Sequence, residues 1–273
     1  MNLPQAFCNR SLLSSYLSGA AVIVLWPGLL SALAAEPVSD HATAETIKSG
    51  LTPVFRDDFN RPDGQTLGPG WTEASHYGVV NEQLRDHRLR FDIPDGHDIP
   101  WGSATLDLHN RLILGRGMEV GEYFEFRMRR LSQEGGLGVE LFDSDQLRVG
   151  SDLKAGSSAL RAWNGTTWVP LAFENHAQPV KYDWNTPRTL GVRFDSADGH
   201  HAAFSYFIDG HYAGSWLIST ANKTLDKIGV YVQSKTSGAA FEFDELKVYG
   251  QPHPNGLKRN PRAAQMSSGQ RPG

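Results

Sequence analysis

Residues 202–216 read AAFSYFIDGHYAGSW, and the reading of this stretch decides the fold. Phe204, Tyr206 and Ile208 alternate with Ser205 and Phe207, the period of two expected of a strand with two different faces. Asp209-Gly210 follows at once, and a second aromatic run, His211 to Trp216, comes after it. Asp-Gly between two such runs predicts a hairpin, because a type I′ turn needs φ > 0 at both central residues. The fold class is therefore antiparallel β.

Outward from this hairpin the chain repeats the pattern. Val54 to Phe59 opens the series, and Asn60 to Gly70 (NRPDGQTLGPG) is a loop dense in Pro, Gly and Asp. Trp71 to Val80 and Gln83-Leu84 read as strands around a turn at Asn81-Glu82, and Arg88 to Phe91 and Gly102 to Leu108 follow. The clearest alternation is Tyr123 to Arg130: Phe124, Phe126 and Met128 point one way, Glu125, Arg127 and Arg129 the other. Short strands continue at 137–142, 147–149, 160–163, 168–173 and 180–184, with a second hairpin signal at Asn164-Gly165. Arg188 to Phe194 sets Leu190, Val192 and Phe194 inward and Arg193 outward. Ile228 to Val232 and Phe241 to Tyr249 end the series, the last with a phase flip near Asp244-Glu245 that marks a bulge. Many short strands, regular turns and no helical or repeat period predict one all-β domain, a sandwich or jelly roll.

The two ends have a different character. Residues 1–35 carry Arg10 as their one charge and run mostly apolar from Leu12 to Leu33. Ala32-Leu33-Ala34 fits the small-x-small pattern of signal-peptidase cleavage, so residues 1–35 are read as a signal peptide. A membrane anchor is the competing reading, and Pro27, Gly28 and several serines argue against it. Residues 36–52 form a polar lead with one helical turn near Ala42 to Lys48, the domain occupies 53–250, and 251–273 is a Pro-, Gly- and Ser-rich tail expected to be disordered. Cleavage removes Cys8, the one cysteine, which excludes disulfides, zinc-thiolate sites and cysteine nucleophiles. The expected location is secreted or periplasmic, with no membrane insertion after cleavage. The remaining chain has 25 basic and 30 acidic residues, a balance of −5. Four of those bases sit in the acid-free tail, leaving the domain with 21 against 30, and such a surface repels phosphate backbones. Nucleic acid is not an expected partner, and the sequence does not indicate an oligomeric state.

Val54 to Gly70 (VFRDDFNRPDGQTLGPG), followed by Trp71 and then Val80 to Leu84 (VNEQL), resembles the opening of bacterial exported concanavalin A-like domains. FSYFIDG at Phe204 to Gly210 is similar to the strand and turn of laminin G-like modules, and FEFDELKVY at Phe241 to Tyr249 to their closing strand. The resemblance implies a concanavalin A-like jelly-roll sandwich of two antiparallel sheets, with first and last strands neighbours and a concave face that holds saccharide. That superfamily contains lectins, hydrolases and lyases, so the fold alone does not choose among them.

The residues narrow the choice. Laminarinase-like members carry Glu-x-Asp-x-(x)-Glu on one strand, which aims two carboxylates at a glycosidic bond. Glu140-Leu141-Phe142-Asp143 has Phe142 where the second acid belongs, and Glu242-Phe243-Asp244-Glu245 brings its third acid too early and on the closing strand. A lyase needs a cation for the uronate carboxylate and a base for the C5 proton; Arg127 and Arg129 beside Glu125 supply the first, and His109, His176 or Tyr182 could supply the second. The competing reading of the arginines is an exposed ion-paired strand face. Sugar binding needs aromatic planes for the apolar pyranose face and polar partners for the hydroxyls. Trp101, Trp163 and Trp168 lie in or beside predicted loops, whereas Trp71, Trp184 and Trp216 are expected in the core. The functional expectation is an exported module binding a polysaccharide or glycan on Trp101, Trp163 and Trp168, with Arg127, Glu140 and Arg193 as polar partners. The alternative is a polysaccharide lyase or atypical glycoside hydrolase using Glu125, Arg127 and Glu140. No cofactor is expected; Asp57, Asp58 and Asp244 raise a structural calcium, against which stands loop capping by short acids.

Overall fold

The computed structural model describes residues 43–251, apart from 65–66, 76–79, 95–99, 133–134, 142–146, 151–156, 164–167, 171–180, 220–224 and 235–237. The expected signal peptide and tail, the expected turn at Asn164-Gly165 and His176 lie outside the described residues. A five-residue helix, α1 (Ala44–Lys48), precedes the strands β1 (Thr52–Asp57), β2 (Trp71–Ser75), β3 (Asn81–Arg85), β4 (Arg88–Ile93), β5 (Trp101–Asp107), β6 (Tyr123–Arg130) and β7 (Gly136–Leu141). Then come β8 (Leu147–Gly150), β9 (Ser157–Ala159), β10 (Arg161–Trp163), β11 (Trp168–Pro170), β12 (Lys181–Asp183), β13 (Arg188–Ala197), β14 (His201–Ile208), β15 (His211–Ser219), β16 (Lys227–Gln233) and β17 (Ala239–Gly250).

Two large antiparallel sheets result, and β9 and β12 pair in a separate two-stranded one. Sheet A has the order β15-β14-β13-β6-β17-β4-β3, and sheet B the order β11-β10-β8-β7-β16-β5-β2. First and last strands are neighbours, as the resemblance implied: β1 pairs with residues 246–250 of β17, and β4 pairs with residues 239–243 along the same side. The phase flip in β17 is a bulge, a register shift between Phe243 and Glu245 opposite β6.

The period of two dictates what fills the sandwich. Phe91, Phe124, Phe126, Phe204, Tyr206, Phe241 and Phe243 face inward from sheet A, all fully buried. They meet the smaller Ala104, Leu106, Val139, Ile228, Val230 and Val232 of sheet B, so aromatic bulk on one layer is matched by aliphatic side chains on the other. Trp184 is buried, and Trp71 and Trp216 pack against this core, as expected.

The Asp209-Gly210 turn has φ of 50° and 84°, the type I′ geometry expected from its residues. The turn expected at Asn81-Glu82 is corrected. Those residues belong to β3, and the hairpin turns instead at Asp86-His87, with φ of 51° and 59°. The Asp86 amide donates to Asp63 Oδ1 (3.0 Å), so a contact from a distant loop helps hold a turn that contains no glycine.

Candidate functional site

The sandwich has two outer faces, and most candidate residues lie on the strands of one sheet or the other; of the lyase bases, Tyr182 is on β12 and His109 in the turn after β5. On sheet A, α1 lies across one end. Five residues cannot sustain a helix alone, so its stability comes from docking. Thr43 caps it through Oγ1, and the Ala44 amide donates to the Gly210 carbonyl (2.8 Å), tying it to the central hairpin. Ala44, Ile47 and Leu51 pack with Tyr123, Phe207, Tyr212 and Tyr249 into a second, smaller apolar cluster.

Glu125 is buried beneath this helix. Its Oε2 accepts from Tyr123 Oη (3.1 Å) and Lys48 Nζ (3.3 Å), and its Oε1 from Tyr249 Oη (3.3 Å). Burial works against the Lys48 ammonium, yet the hydrogen bond to Glu45 and the charge of Glu125 outweigh it and raise its pKa. Burial, then the Glu125 charge, pushes Tyr249 up to about 12 and Tyr123 well up in the same direction. Glu125 therefore serves as the polar pin of a docked helix.

Beyond the helix the same face is a lattice of charge. Arg129 donates from Nε (2.7 Å) to Glu242 Oε2 and also pairs with it through Nη2 (2.6 Å), while Arg127 stands 3.5 Å from Asp244. Towards β14, Ser205 Oγ donates to Asp195 Oδ2 (2.7 Å) beside Arg193, whose Nη1 is 3.6 Å from Asp195 Oδ1. Asp195 is the bulged residue of β13, and burial pushes it up to about 6 against the opposing effects of Ser205 and Arg193.

Sheet B is different. The outward positions of β7 are Gly136, Gly138 and Glu140, and the outward neighbours on β16 and β5 include Gly229, Tyr231, Gln233, Trp101 and Ser103. The backbone register forms a row in which Trp168 opposes Trp163, Trp163 opposes Arg148, Arg148 opposes Glu140 and Glu140 opposes Gly229. The next row runs Arg161, Gly150, Gly138, Tyr231 and Ser103, and the third joins Gly136, Gln233 and Trp101. Tyr231 Oη donates to Gln233 Oε1 (2.5 Å), and Glu140, Ser103 and Tyr231 are all buried. Trp101 is half-buried.

The structure thus divides the sequence candidates. Glu125, Arg127 and Arg193 belong to sheet A; Glu140, Trp101, Trp163 and Trp168 belong to sheet B, so neither the binding set nor the lyase or hydrolase trio assembles in one place. Sequence reasoning missed Gln233 and Tyr231, and also Glu82. In β3, Glu82 opposes Phe91, and burial, then the charge of Glu73, pushes it up to about 9, so it holds its proton at neutral pH. Parity within β3 was the available signal.

Of the carboxylates that raised calcium, Asp57 accepts from Arg61 Nη1 and Nη2 (3.1 Å each), Trp71 Nε1 (3.1 Å) and the Phe59 amide (2.9 Å). Asp58 caps the Asn60 amide (3.2 Å), and Asp244 faces Arg88 and Arg127. These acids serve the protein's own donors, and among the described residues no cluster of three or more His, Cys, Asp or Glu is arranged to hold a metal. No described helix is long and apolar enough to cross a membrane.

No family model matches the sequence, and no curated protein matches it. Solved structures do. An endo-β-galactosidase from Clostridium perfringens that releases GlcNAcα1-4Gal superposes with a TM-score of 0.51 at 14% identity, over 77% of this chain and 65% of that enzyme, so the chain spans just under two thirds of its length. The carbohydrate recognition domain of Emp46p, in its potassium-bound form, gives 0.47 at 16% identity over 74% of this chain and 97% of that one. A structure reported with the endo-acting O-glycanases of human gut bacteria gives 0.48 at 10% identity, over 73% and 99%. At such identities the likeness is one of fold: the chain is a concanavalin A-like jelly-roll sandwich of two main antiparallel sheets.

Proposed function

We propose that this chain is an exported carbohydrate-binding module that holds a polysaccharide or glycan across the outer face of sheet B. The observation that carries the reading is the cross-strand register of that face. On that face Gly136 and Gly138 of β7 lie between Trp101 on β5 and the opposed pair Trp163 and Trp168 on β10 and β11, with Glu140, Tyr231, Ser103 and Gln233 as polar neighbours. Glycine leaves room for a ring to approach the backbone, tryptophan offers a plane to the apolar pyranose face, and carboxylate and amide groups suit sugar hydroxyls. Arg127 and Arg193 have no part in it, since both stand on sheet A. On β7 the positions that share Glu140's face are glycines, so that strand supplies one carboxylate where a retaining hydrolase needs two about 5 Å apart.

The test is a glycan array and titration with wild type, Trp101→Ala and the double variant Trp163→Ala/Trp168→Ala. Loss of one stacking plane weakens binding by about tenfold, from a contact of roughly 1–1.5 kcal/mol. Unchanged binding by both variants removes the proposal. Glu140→Gln separates the alternative: new unsaturated or reducing ends made by wild type and not by this variant would establish a lyase or hydrolase instead.

A further inference from the structure

A second surface is built for a ligand of different chemistry. On the outer face of sheet A, clear of α1, a pocket of about 60 Å³ is walled by Pro187 and lined by Arg88, Arg127, Arg129, Glu242 and Asp244. Three guanidinium groups meet two carboxylates there, in a domain whose overall charge is negative. The two carboxylates are unequally engaged. Glu242 Oε2 takes both Nε and Nη2 of Arg129, at 2.7 and 2.6 Å. Asp244 lies 3.5 Å from Arg127 Nη1 and 3.7 Å from Arg88 Nε, and Arg88 Nη1 lies 3.7 Å from Glu242.

Those last three separations are ion-pair distances beyond hydrogen-bond length. Elsewhere on the domain Arg61, Arg90 and Arg188 reach their carboxylates at 3.1, 2.9 and 2.6 Å. Arg88 and Arg127 flank β17 from opposite sides and are 38% and 52% exposed, and among the described residues their N–H donors meet carboxylates only at ion-pair distance. A guanidinium fork matches a planar carboxylate or a tetrahedral sulfate, and two forks around one pocket give such a group more donors than water-exposed Asp244 can use. One positive charge remains after both acids are counted.

We propose that this pocket is an oxyanion site in which Arg88 and Arg127 jointly bind a carboxylate or sulfate group. The group could arrive as a free anion or carried on an acidic oligosaccharide, and the test distinguishes the two. The full chain is titrated at constant ionic strength with sodium sulfate, free glucuronate and a polyuronate oligomer, following the arginine Nε–Hε resonances by NMR. Wild type is compared with Arg88→Gln, Arg127→Gln, their double variant, and Arg88→Lys, which keeps charge and loses the fork.

Saturable shifts with sulfate and glucuronate, abolished in the double variant and weakened in Arg88→Lys, establish a site for the free group. Saturation by the oligomer alone, weakened about tenfold or more in the double variant, establishes a site for the group on a saccharide. No saturable response that depends on Arg88 and Arg127 with any probe, up to tens of millimolar, overturns the proposal. Trp101→Ala is carried through the same titrations; it leaves these shifts intact, so failure here and failure on sheet B are read separately.

Discussion

On sheet A the outward positions of β6 are Tyr123, Glu125, Arg127 and Arg129, whereas on sheet B those of β7 are Gly136, Gly138 and Glu140. Sheet A uses its large outward residues to make structure: half of that face is roofed by α1 into an apolar cluster and the other half is charge-paired. On sheet B the central strands alternate small and polar outward residues: Gly136, Gly138 and Glu140 on β7 stand beside Gln233, Tyr231 and Gly229 on β16. The difference teaches that the two outer faces of one sandwich can be built on opposite terms, large paired side chains on one and small residues on the other.

Truncation sharpens this comparison most. Phe207 faces α1 and is fully buried, so Phe207→Ala costs about 3–5 kcal/mol in urea unfolding, while half-buried Trp101→Ala on the opposite face costs about 1 or less. Equal costs would break the contrast. Next comes Asp195, whose pKa rises from 3.8 to about 6 on folding. A raised acid binds its proton more tightly when folded, so the stability it allows is full below pH 4 and falls as pH climbs towards 6. Asp195→Asn removes that fall: between pH 4 and pH 7 its stability gains up to about 3 kcal/mol relative to wild type. Parallel pH curves for the two proteins would refute this.

The smallest effect is expected at Gly191, over which the Tyr123 ring lies; a β-carbon built there clashes with the hydroxyl and ring. Gly191→Ala costs about 1–2 kcal/mol and loosens the Tyr123–Glu125 hydrogen bond, read as faster amide exchange in α1. Unaltered exchange would show that the helix does not depend on that phenol.

How much of this was legible in the sequence follows from what local pattern can carry. The Asp209-Gly210 hairpin, the inward set Phe124, Phe126 and Met128, and the β17 bulge were all readable, because each is fixed by parity or by a glycine within a few residues. The Asp86-His87 turn was not, since its φ values are held in part by Asp63, 23 residues away. Glu125 was correctly placed facing outward, but its partner Lys48 is 77 residues distant, on a helix with no amphipathic period to announce it. The candidate set was split for the same reason: alternation says which way Arg127 and Glu140 point within a strand, and nothing about which layer that strand joins.

The placement of β17 has a consequence for how the molecule is made. It is hydrogen-bonded to β6 on one side and to β4 and β1 on the other, yet it is the last strand in chain order. Until residues 239–250 emerge from the ribosome, β6, β4 and β1 have no shared partner, and the inner aromatics of sheet A lack the strand that carries Phe241 and Phe243. Closure therefore waits until residues 239–250 have been made, and the strands before them pass their synthesis open and unlatched.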